Sequence, residues 1–229
     1  MLHTDPFSLI VLLIGLSLLP LVAMVTTSYL KIVIVMSLIR NALGIQSIPP
    51  NMVINALALI LTFYIMAPVC NDCWNIITTE KAAMEERQKN GEQTKPGQPF
   101  FETDIAAKAA VPFKEWMKRQ TGDKERAFFV STAERLWAKD GKENTEVDAD
   151  SFFIILPSFC VSELTKAFQI GFLVYLPFIA IDIIVSNILL AMGMMMVSPV
   201  TISLPFKLLL FVMVDGWSML IQGLVRSYV

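Results

Sequence analysis

The sequence predicts an all-α, membrane-class protein, in which helical hairpins supply four hydrophobic segments and a polar insert separates the second from the third. Three observations carry this. Hydrophobic residues make up 55% of the 229 positions, above the roughly 45–50% of ordinary soluble domains. Charged residues are only 17%, and thirteen of the eighteen Lys and Arg fall between positions 81 and 142. Outside that interval, uncharged runs reach the roughly 20 residues that a spanning helix needs. The formal net charge of −2 gives no indication of a nucleic-acid partner.

Residues 6–30 carry no charge and form the first segment. The start, "MLHTDPFSLIVLLIGL", has no positive n-region and no small-residue cleavage site, so it reads as a retained segment and not a signal peptide. Lys31 then interrupts a run that otherwise stays apolar to Ile39, and a lysine there must snorkel, line water or find a partner in protein. Arg40-Asn41-Ala42-Leu43-Gly44 reads as a helix end, with a basic last turn and a stopping glycine. After the turn "IQSIPPNM", Asn51 is placed to cap the second segment, residues 52–70, which Pro68 should close or kink.

The expected organisation is an N-terminal hydrophobic hairpin over residues 1–79, a polar insert over 80–150 and a C-terminal hydrophobic hairpin over 151–229. In the insert, "EKAAMEERQKNGEQTKPGQP" reads as a linker. The stretch that follows alternates apolar residues at three and four spacing, which predicts one or two amphipathic helices burying Trp116, Phe128, Phe129, Leu136 and Trp137. A third segment covers residues 167–192 and a fourth 206–225. Pro157, Pro177, Pro199 and Pro205 are expected to break up this half, which suits packing against protein better than against lipid. The positive-inside rule puts the turn beside Arg40 in the cytoplasm, and the insert and both termini outside.

Catalysis finds little support. His3 is the only histidine, and no nucleotide loop, nucleophile elbow or zinc spacing occurs. Asp182 and Asp215 lack the Gly-x-Gly-Asp setting of an intramembrane aspartic protease, so helix contacts or capping fit them better. The pair Cys70 and Cys73 has C-x-x-C spacing but no thioredoxin-like context or second ligand pair. No cofactor or metal is expected.

The expensive groups are Lys31, Glu163, Asp182 and Asp215, ionisable residues in apolar surroundings and therefore candidates for a partnered role. Glu163 and Lys166 lie three apart and suit a local ion pair; the alternative partner is Lys207, similarly isolated in "SLPFKLLLF". The stretch "AMGMMMVSPV" puts four of the thirteen methionines into six residues. Thioethers suit Cu(I), but successive helical side chains point about 100° apart, so Met194, Met195 and Met196 cannot converge on one ion within one chain. Repeated around an axis, they form an apolar collar.

Together "RNALGIQSIPPNMVINALAL", "LPSFCVSELTKAFQIGF" and "YLPFIAIDIIVSNILLAMGMMMVSPVTISLPFKLLLFVMVDGW" resemble the SctR/FliP family of type III secretion and flagellar export-apparatus proteins, over nearly the whole chain except residues 80–150. The "YLPF" and "MMMVSPVTISLP" variants favour the virulence-type branch. The resemblance implies a pore-forming subunit of the export gate in the bacterial inner membrane, packed into a helical, ring-like oligomer that lies largely on the periplasmic side. It implies several copies of the chain, a pentamer in the family, with SctS-like and SctT-like subunits and with SctU-like and SctV-like ones. Unfolded effector, needle and translocator proteins would pass through the channel, with lipid outside. The resemblance also implies a methionine gasket at Met192, Met194, Met195 and Met196, and an inter-subunit ion pair between Glu163 and Lys207. The alternatives are a flagellar export-gate subunit and a stand-alone multi-pass transporter.

Overall fold

The computed structural model describes residues 6–45, 48–89, 104–137, 148–194 and 196–228, and among them every regular element is a helix. In chain order these are α1 (Pro6–Thr26), α2 (Tyr29–Ala42), α3 (Asn51–Lys89), α4 (Asp104–Ala109), α5 (Val111–Gln120), α6 (Asp123–Trp137), α7 (Phe152–Ala191), α8 (Pro199–Met213) and α9 (Gly216–Arg226). Two stretches, Asn51–Ala83 of α3 and the whole of α7, are long and apolar enough to cross a membrane. The number rises to four if each of two bent pairs is counted as one span: Pro20–Thr26 with α2, at 77°, and α8 with α9, at 61°.

Several prolines do less than the sequence suggests. Pro68 lies inside α3, and α7 runs unbroken through Pro157 and Pro177. A proline removes one donor and strains one carbonyl; in helices of 39 and 40 residues the remaining ladder carries the element through. The helical part of the expected linker extends to Lys89 for the same reason, since "EKAAMEERQK" consists largely of good helix formers.

The chain forms two compact units, Met1–Thr62 with Glu163–Val229, and Phe63–Ser162. In the first, Ile32, Val35, Met36 and Ile39 recur at three and four spacing along α2 and are all buried. A Cβ at Gly171 would sit 2.3 Å from the Leu38 Cδ1, so this glycine lets α2 approach α7 closely. Gly44 ends α2 with a φ of 78°, as its sequence position suggests. Asn51 is the first residue of α3, and its Oδ1 accepts a hydrogen bond from Arg40, which ties the end of α2 to the start of α3. In contrast, α1 leaves Leu13, Ile14, Leu16 and Leu21 exposed.

In the second unit, α5 packs on the first turns of α7 through Trp116 and Phe159, whose rings lie 5.5 Å apart. Met117, Ile154 and Ile155 complete this core. Trp116 is buried as expected, but Phe128, Leu136 and Trp137 are exposed and Phe129 is half-buried. The buried residue of α6 is Ala133: a small side chain sets the contact, and the large ones face away. Asp150 holds α5 and α6 to the start of α7, accepting from Lys118 at 2.8 Å and from Arg126. The Lys118 hydrogen bond, with the charges of Lys118, Arg126 and Lys114, holds the Asp150 carboxyl below its ordinary range. A depressed carboxylate pKa stabilises the fold above the unfolded value and loses that contribution as pH falls through the folded one. Protection factors of the α5 and α6 amides are therefore expected to fall below about pH 4, and Asp150→Asn should show the lower protection already at neutral pH. Because the pair is largely exposed, the change should be small.

Candidate functional site

The methionine loop is held at both ends by backbone chemistry. At its start, the Met194 N–H donates to the Leu189 carbonyl and the Gly193 N–H to that of Leu190, both at 3.0 Å. This is the Schellman arrangement, and Gly193 supplies its left-handed residue with a φ of 71°. At the other end, Ser198 is extended, its carbonyl accepts from the Thr201 N–H at 3.2 Å, and Pro199 opens α8. Proline suits that position because its missing N–H would have had no partner there. Met192, just before the stop, and Met194 and Met196 after it are exposed, Met196 completely. Met195 lies outside the described residues. Beside the loop, α7 and α8 enclose a wholly apolar groove of about 400 Å³, lined by Ile181, Ile184, Val185, Ile188, Ile202 and Phe206, with Leu189.

The charged groups in apolar surroundings form two clusters, the first around a fully buried pair and the second with Asp182 partly exposed. In the first, Lys31 and Glu163 both have zero side-chain exposure, and the ammonium lies 3.3 Å from Oε2. The Lys31 Nζ also donates to Ser227 Oγ at 3.2 Å and sits 3.6 Å above the centre of the Tyr228 ring. The Tyr228 hydroxyl donates to Glu163. Lys166 approaches Glu163 Oε1 at 3.5 Å, so the local i, i+3 pair is present as well. In the second cluster, Lys207 pairs with Asp182 at 2.6 Å and donates to the Ala42 carbonyl at 3.1 Å, while Ser203 donates to the other Asp182 oxygen.

Within one chain, then, Glu163 and Lys207 are not brought together; each has another partner. The Lys31–Glu163 and Asp182–Lys207 pairings were not legible, because nothing local connects positions so far apart. Tyr228 and Ser227 gave no signal at all. Asp215 is exposed, not buried, in the single chain. It adopts a left-handed conformation at the break between α8 and α9, with φ 51° and ψ 48°, and its side chain caps nothing. Gly216 follows because a Cβ there would strike the Phe211 ring at 2.4 Å.

Long apolar helices with a fully buried ion pair, Lys31–Glu163, define an all-α protein of the membrane class, with Met192, Met194 and Met196 exposed at the break between α7 and α8. The chain belongs to the FliP family, whose model matches residues 12–224. It is 49% identical over 224 residues to Yop proteins translocation protein R of Yersinia pestis, covering 98% of this chain and 97% of that one. It is 44% identical to virulence protein YscR of Salmonella typhimurium, with the same coverage. Against flagellar biosynthetic protein FliP of Pectobacterium carotovorum it is 41% identical, and the match covers 77% of that protein.

Proposed function

We propose that the chain is a pore-forming subunit of a type III secretion export gate, through which unfolded effector, needle and translocator proteins cross the bacterial inner membrane. The observation that carries this reading is the methionine loop, exposed in the single chain yet clamped by a Schellman stop and a proline start. An exposed apolar loop on fixed ends is suited to meeting its equivalents on other copies. Thioethers repack at little cost, so a collar of them can seal when empty and yield to a passing chain. The virulence-system names of the relatives at 49% and 44% identity support the virulence branch, with the flagellar relative sharing less of its length.

In this reading several copies assemble with SctS-like and SctT-like subunits, and the insert faces the periplasm. Between copies, Glu163 meets Lys207, which requires both to leave or share their internal partners. Gentle detergent extraction followed by native mass measurement tests the assembly. The expected result is a particle containing several copies together with other subunits; a monomer or a lone pair of copies, from cells that secrete normally, would instead indicate a stand-alone transporter.

A further inference from the structure

We propose that Cys70 and Cys73 are a redox-active pair that closes to an intrahelical disulfide. Both are free thiols on α3, Cys70 exposed and Cys73 half-buried. Residues three apart on a helix face have Cβ atoms about 5–6 Å apart, whereas a disulfide needs about 3.5–4.5 Å. A 3₁₀ turn closes that gap, because it eclipses positions i and i+3. The residues between them, Asn71 and Asp72, are poor helix formers, so tightening this turn costs little. Pro68, just upstream, has already removed one bond of the ladder.

The oxidant is a disulfide, either oxidised glutathione or the disulfide of a thiol oxidoreductase. The exposed Cys70 thiolate attacks one of its sulfurs and releases the first thiolate. Cys73 then attacks the Cys70 sulfur of the mixed disulfide and releases the second. Two thiols and one disulfide become one disulfide and two thiols, the two cysteine protons ending on the leaving groups. In cells this rests on the proposed orientation. From Asn51, α3 rises about 29 Å by Cys70 at 1.5 Å per residue, which is the thickness of a bilayer core. The pair then lies at the membrane edge on the side of the insert, facing an oxidising compartment.

The test uses the full chain in detergent, with Cys160→Ser to leave only this pair, equilibrated in glutathione buffers, acid-quenched and weighed intact. The expected product is lighter by two hydrogens and takes up no PEG-maleimide until dithiothreitol is added. Cys70→Ser and Cys73→Ser should each carry one glutathione instead. Two glutathione adducts on the parent, or two free thiols in fully oxidised buffer, would overturn the pair. A separate arm addresses orientation alone: Thr79→Cys in a cysteine-free background should react with an impermeant maleimide on intact cells. A silent Thr79→Cys would overturn the orientation and the oxidised state in cells, while the detergent measurement still decides the pair.

Discussion

Glu163→Ala is expected to be the most damaging single charge removal in this chain. It leaves the Lys31 ammonium with no exposure, no carboxylate, and only the Ser227 hydroxyl and the Tyr228 ring for company. Breaking a buried pair from one side costs about 3–5 kcal/mol, because the remaining charge stays desolvated. Removing both, as Lys31→Met with Glu163→Met, should recover most of that loss, since an apolar replacement of similar volume is often neutral or better. Lys207→Ala should cost less, because Asp182 is about a third exposed and keeps water as a partner. Thermal unfolding in detergent ranks these variants. Assembly on native gels then separates the two roles proposed for Glu163. If copies are joined by Glu163 and Lys207, each single alanine variant already removes the shared contact, so the double variant should lose little more of the large complex than either alone. If the internal pairs alone matter, the two losses should add, and exchanging the charges of Lys31 and Glu163 should restore the complex that Glu163→Ala loses.

Local signals in the sequence were reliable where one residue decides the outcome. Gly44 stops α2 as expected, Pro199 stands at the expected break between α7 and α8, and the unusual cost of Lys31 and Glu163 was visible from their apolar neighbours in the sequence. What the sequence could not convey was partnership. Lys31 and Glu163 meet where α2 runs beside α7, the same pair of helices that brings Leu38 against Gly171, a tertiary contact between positions far apart in the sequence. Proline was misjudged for a related reason. Its local penalty is real, but α7 is one cooperative helix, and the bonds lost at Pro157 and Pro177 do not end it. In α6 the error was to rank residues by size: the helix turns Ala133 inward and leaves Phe128, Leu136 and Trp137 outside. Large exposed side chains are normal on a protein surface, and especially on one that awaits partners.

Replacing Met194, Met195 and Met196 together with alanine is expected to make the closed gate leak. Met194 and Met196 are already exposed in the single chain, so shortening them removes no packing from its core. The chain should therefore fold and assemble almost normally. The loop ends should also hold their shape, because the Schellman bonds and the Pro199 start are backbone features. In the proposed pore, what changes is the apolar volume that several copies would bring to one axis, and with it the dewetted constriction that would exclude ions. Leucine at the same three positions has nearly methionine's volume with less freedom to repack. It should restore the seal while slowing substrate passage, and this split between leak and secretion distinguishes a gasket from a structural loop. Gly193→Ala provides an independent check, since it strains the left-handed stop and displaces the loop without touching a methionine; it should also leak. Conductance and secretion measured on the same strains decide the matter: a triple-alanine variant that assembles fully and stays as tight as the parent would remove these methionines from the pore.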